Sequence, residues 1–205
     1  MLSKIVVGLT CLLFCLGFAG CATKFFIAPG FTGENLTKEG IAILPVLVGE
    51  TGKGVPGVEG YCRAAGEKMA STLRGKQPTL KVIGPTEVSS IISKDNLVSD
   101  YSKLAEDYAR VGMLNSAIVK KMSESVGVKY FLIGRITSLY AVGSKAKAAV
   151  SIQIYSADSA ELLFEIVKED EASSWLISSS APYDKAVEGA AQYAMDNVIA
   201  VLWKK

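Results

Sequence analysis

The sequence predicts an α/β fold in one domain: a mixed β-sheet packed with helices, in the element order βαβααβββα. Three observations carry that prediction. Two short apolar runs, Ile41–Val46 and Thr79–Gly84, are each followed by a segment of helical period, as strands linked by crossover helices are. Three strand-like segments then follow one another between residues 128 and 170, and the chain closes on an amphipathic stretch. Half of the 205 residues are apolar, 20% are charged and 8% aromatic, which suits a packed core and excludes a disordered or collagen-like chain.

Ile41-Ala42-Ile43-Leu44-Pro45-Val46 is apolar throughout, so it reads as a strand buried on both faces, ending near Pro45 because proline cannot donate to a ladder. A Gly-rich loop, Gly49 to Gly57, leads into a helix from about Val58 to Arg74, stopped by Gly75 and Pro78. Thr79 to Gly84 is the second strand. Pro85, suited to a first helical turn, opens a short helix to about Ser93 that stands outside the main order. Val98 to Val111 is helical with Tyr101, Leu104, Ala105 and Tyr108 on one face, and Leu114 to Ser125 presents Leu114, Ala117, Ile118 and Met122. Val128 to Tyr140 is a long strand, and Ala146 to Ser156 and Leu162 to Asp170 are its antiparallel partners. In the middle one Val150, Ile152 and Ile154 alternate with Ser151, Gln153 and Tyr155, predicting one packed face and one partly exposed. Asp184 to Trp203 is the closing helix, with the stripe Val187, Ala191, Ala194, Val198 and Leu202. Trp203 is expected to pack along its last turn.

The amino terminus gives an address. After Met1-Leu2-Ser3-Lys4, the uncharged apolar run Ile5 to Phe18 falls short of the roughly 20 residues of a membrane span and suits a signal peptide. It closes on Phe18-Ala19-Gly20-Cys21, which resembles the bacterial lipobox, in which the cysteine is acylated and becomes the first mature residue. Phe18 stands where that motif usually has leucine. The expected organisation is a signal peptide over 1–20, a lipidated tether over 21–38 and an α/β domain over 39–205. Pro29-Gly30, Gly33 and Asn35 mark the tether, with Phe25, Phe26 and Ile27 close enough to touch lipid or the domain. Ala22 after the cysteine implies, by resemblance to enterobacterial sorting, the outer membrane.

Chemistry is sparse. There are no histidines, which removes histidine triads and His-ligated metals, and a formal charge of +2 is no nucleic-acid footprint. No cofactor or metal site is expected. Once Cys11 and Cys15 leave with the signal peptide and Cys21 carries lipid, Cys62 is the lone free thiol; its spacing with Ala65, Met69 and Leu73 reads as a core thiol. Gly49-Glu50-Thr51-Gly52-Lys53-Gly54 lacks the spacing and the hydroxyl of a phosphate loop. Glu169-Asp170-Glu171 alternate across a strand end, and Ser144 and Lys147, spaced as in Ser-Lys enzymes, fall in a turn. No enzyme is expected. Trp175, in a Ser-rich connection before the last helix, is the candidate partner anchor, set against a tryptophan folded over the core.

The strand Ile41–Val46, the stretch Val82-Ile83-Gly84-Pro85-Thr86-Glu87-Val88, Gly112-Met113-Leu114, and Val126-Gly127-Val128-Lys129-Tyr130-Phe131-Leu132-Ile133-Gly134-Arg135-Ile136 together resemble one superfamily of envelope lipoproteins. It contains the curli secretion channel lipoprotein and the lipoprotein B activator of penicillin-binding proteins, with a fold similar to the amino-terminal domain of the Tol-Pal translocation protein. The resemblance spans about residues 41 to 203. It departs at Asp158-Ser159-Ala160-Glu161, where the family turn reads Asp-x-x-Thr-Gly, and at Tyr140–Ala146 and Ser156–Leu162, too short for barrel hairpins whose arms need roughly 9 to 11 residues each.

The resemblance implies an outer-membrane lipoprotein facing the periplasm, bound to the membrane through Cys21 and assisting envelope assembly, secretion or transport through a protein partner, with homo-oligomerisation one form of that partnership. The alternatives are a regulator of a peptidoglycan synthase and a lipid or small-molecule carrier.

Overall fold

The computed structural model describes residues 25–173 and 182–204. The signal segment, Cys21 and Trp175 lie outside the described residues. Within them the elements are β1 (Phe25–Ile27), α1 (Gly33–Glu39), β2 (Ile41–Ile43), β3 (Leu47–Val48), α2 (Val58–Lys76), β4 (Val82–Ile83), α3 (Pro85–Lys94), α4 (Val98–Val111), α5 (Ser116–Val126), β5 (Tyr130–Val142), β6 (Lys145–Ser156), β7 (Leu162–Ser173) and α6 (Tyr183–Leu202). The α/β class, the mixed sheet and the order of the predicted elements hold.

The strands form one sheet in the order β1-β7-β6-β5-β2-β4, with β3 beside β5. β2 runs parallel to β4 and β5, while β5, β6, β7 and β1 are antiparallel neighbours. At the β4 edge Arg74 donates from Nε and Nη2 to the Val82 carbonyl, at 3.2 and 2.9 Å, filling an acceptor that a further strand would otherwise use.

Helices cover the sheet on both sides. One core layer joins α1, α2 and α6 to the sheet through Leu36, Met69, Leu73, Val187, Ala191 and Val198. The other sets α3, α4 and α5 over Phe131, Ile133 and Tyr155 through Val88, Ile92, Leu104, Tyr108, Val119 and Met122. The alternation in β6 therefore separates two cores over its second half: Ile152 and Ile154 face α6, and Tyr155 packs under α4. The face expected to be partly exposed is covered there and opens only farther along the ribbon, where Tyr140, Val142 and Val167 are exposed. In α5 Ile118 and Met122 are buried as expected, joined by Val119 and Val126, while Ala117 is exposed in the first turn.

The expected tether is corrected. Phe25, Phe26 and Ile27 pair antiparallel with Ile166, Glu165 and Phe164, and the Phe25 ring stacks on Phe164 at 6.4 Å. Phe31 and Leu36 enter the core, and the Asn35 side chain accepts the Thr32 N–H at 2.9 Å to begin α1. Residues 25–39 belong to the domain. Burial of Phe31 and Leu36, with Ile27 partly buried beside them, outweighs the turn signals at Pro29-Gly30 and Gly33.

Candidate functional site

β2 is the strand at which the winding of the sheet reverses, since β4 joins it on one side and β5 on the other. In open α/β sheets the carboxyl end of such a strand is where a crevice forms. Here the sequence widens it. Ile43 pairs with Leu132 and Leu47 with Arg135, so four steps along the β2–β3 segment match three along β5. The extra residue falls at Pro45-Val46, where proline has no N–H to give the ladder.

Two glycines receive the displaced Val46. A β-carbon at Gly134 would lie 2.9 Å from Met69 Cε and 3.0 Å from Val46 Cγ2, and one at Gly66 would lie 3.0 Å from Pro85 Cγ and 3.3 Å from Val46 Cγ2. Their missing side chains let α2, α3 and β5 close around Val46. Above this floor is an open cleft of about 580 Å³, walled by Leu47 and Val48, by Val58 and Cys62 of α2, and by Pro85 and Ser89 of α3. That volume lies within the range of small-molecule sites. Glu59, Arg63 and Thr86 form the polar part of its lining. Glu67 Oε1 accepts from the Thr86 hydroxyl at 2.6 Å and from its N–H at 3.3 Å, stapling α2 to the start of α3.

Cys62 is partly buried in this wall. Burial, and secondarily the negative Glu59, push its thiol up to about 11, so it stays protonated at neutral pH and lacks the thiolate a nucleophile needs. The Gly49–Gly57 loop connects two lining residues, Val48 and Val58, and Thr51 ties it to the sheet through a 3.0 Å bond to the Thr137 carbonyl.

The other sequence candidates are dispersed. Ser144 sits in the β5–β6 turn. The Lys147 ammonium is raised above the usual lysine range by its bond to Glu171, opposite to the lowered value a catalytic lysine base requires. Glu169 and Glu171 lie on the open face of the sheet, and Asp170 on the α6 face above Gly189, where an added β-carbon would collide with its carboxylate. Trp203 packs partly buried against the main core, at the end of α6. Among the described residues no group of three or more His, Cys, Asp or Glu could hold a metal ion, and no helix is long and apolar enough to cross a membrane.

The sequence reading did not single out Val46, Gly66 or Gly134 as cleft residues. The available signal was Pro45 at the end of an all-apolar strand, the position at which a sheet of this class opens.

No protein-family model matches the sequence, and no curated protein matches it. Solved structures do. The chain is similar to the PelC dodecamer subunit from Paraburkholderia phytofirmans, at 12% identity and a TM-score of 0.51, over 90% of this chain and 98% of that one. It is similar to the hypothetical protein CT253 from Chlamydia trachomatis, at 11% identity and a TM-score of 0.50, over 80% and 98% of the two chains. Lipoprotein GNA1162 from Neisseria meningitidis aligns at 16% identity with a TM-score of 0.39, over 80% and 99%. The resemblance carried by residues 41 to 203 thus holds at the level of fold: the chain has the fold of the PelC subunit.

Proposed function

We propose that the chain is a lipoprotein of the bacterial envelope, anchored in the outer membrane through lipid on Cys21 with its domain facing the periplasm. It acts as a non-enzymatic accessory factor in envelope assembly, secretion or transport by binding protein partners, copies of itself among them. The observation that carries this reading is the fold shared with the subunit of the PelC dodecamer, joined to the lipobox-like sequence before Cys21. The protonated Cys62 and the ion-paired Lys147 support the non-enzymatic part. Trp175 is the candidate contact residue for the partner.

The test is the native mass of the lipidated protein in mild detergent, followed by crosslinking in cells. A discrete closed multimer, or one recurrent envelope protein crosslinked to a monomer, supports the reading. Turnover of an envelope substrate by the purified protein, abolished by a point change, overturns it.

The cleft beneath Cys62 favours a second reading, a lipid or small-molecule carrier. Mass spectrometry of organic extracts from purified protein tests it: a stoichiometric amphiphile supports a carrier, and an empty extract removes it.

A further inference from the structure

The pairing of β1 fixes how the domain meets the membrane, if Cys21 carries lipid as proposed above. β1 is antiparallel to β7, with Phe25 opposite Ile166 and Ile27 opposite Phe164. Its amino end therefore points along β7 toward Ser173, the end at which β7 pairs with Lys145 and the β5–β6 turn stands. Only four residue steps separate Cys21 from Phe25, a reach of at most about 14 Å. The expected tether would have allowed roughly 60 Å. Phospholipid is therefore brought to the domain's own surface on the side from which β1 emerges.

The side chains on that side match such a surface. Tyr140 and Val142, 47% and 63% exposed, stand at the end of β5. Tyr140 and Val142 lie on the face of the ribbon that no helix covers, since they pair with Lys147 and Lys145. Seven residue steps separate the Ile166 level from the ribbon end, about 24 Å. The turn thus extends about 10 Å beyond the reach of Cys21, the depth to which interfacial apolar groups enter the headgroup and acyl boundary. An aromatic phenol beside an aliphatic tip suits that boundary.

We propose that the β5–β6 end of the ribbon, through Tyr140 and Val142, is a membrane-docking surface that lies in the phospholipid headgroup layer. The β6–β7 turn at Ser159 is then held away from the bilayer, at the other end of β6, about 37 Å distant.

The test uses the full lipidated chain carrying Cys62→Ser, with a single environment-sensitive fluorophore placed by Val142→Cys, Tyr140→Cys or Ser159→Cys. Each protein is reconstituted on vesicles of phosphatidylethanolamine with a minor share of phosphatidylglycerol and a shallow lipid-borne quencher. Flotation with the vesicles and the mass of Cys21 are measured on the same samples. The expected result is quenching at 142 and 140 at least about twofold stronger than at 159. Flotation with equal quenching at both ends, or with stronger quenching at 159, overturns the docking surface and leaves the anchor intact. An unmodified Cys21 without flotation overturns the anchor, and the docking surface with it.

Discussion

The Trp203 indole lies across Gly33: a β-carbon on that glycine would come within 2.3 Å of the ring. The first helix of the domain and the end of its last helix are thus joined by a contact only glycine permits. Gly33→Ala should lower stability by about 2 kcal/mol, since the backbone of α1 has to move off the ring. In a Trp203→Ala background the same change should turn neutral or stabilising, because alanine then brings its better helix propensity without the clash. Urea unfolding of the four proteins checks the sign reversal.

Ala160, in the β6–β7 turn, holds φ at +58°, a conformation costing a residue with a β-carbon about 1–2 kcal/mol. Ala160→Gly removes that cost and loses part of the gain to the freer unfolded chain. The net expectation is stabilisation of about 0.5 kcal/mol, seen as a higher urea midpoint at unchanged slope.

Cys62 should alkylate slowly at neutral pH and faster as pH rises toward about 11. Glu59→Gln removes the secondary cause of the shift and should move that profile to lower pH, read by iodoacetamide labelling of folded protein. The folded thiol keeps its proton to about 11, whereas a free thiol releases it near 9.0. Its contribution to stability is therefore whole below about pH 9 and is lost as pH climbs through 11.

Gln153 is the hub of a polar network on the α4 side of the sheet. Its Oε1 accepts from the Tyr108 and Tyr155 hydroxyls, and its Nε2 donates to Glu165 at 2.7 Å. Gln153→Leu leaves both phenols without that acceptor and should cost about 1–3 kcal/mol, against about 1 kcal/mol for Tyr108→Phe. Thermal or urea unfolding separates the two.

Legibility in the sequence followed how local each signal was. Val98–Val111 falls where its period places it, because the stripe of Leu104 and Tyr108 is long and ends on Gly112 in the left-handed region. α2 runs on through Gly75 to Lys76, since a single glycine weakens a helix without stopping it. The expected strand 79–84 shrinks to Val82–Ile83, the residues that meet β2. Residues 25–38 carry no local sign of their place in the domain because what orders them is distant in sequence: β7 for Phe25–Ile27, and Trp203 for Gly33. The cleft was hidden for the same reason, as Val46, Gly66 and Gly134 are brought together only by the sheet's winding.

The alanine-rich face of α6 also sets when the domain can close. Ala186, Val187, Ala190, Ala191, Ala194 and Met195 form the cover for Val150, Ile152, Ile154 and Ile166, and all of them follow the strands they cover. That layer is shared with α1 and α2, which precede the three long strands, so the part of the sheet beneath α6 is the last to find its cover. Docking of α6 is thus the closing step for β6 and β7, and loosening that one helix would bare their apolar face before any other part of the core opens.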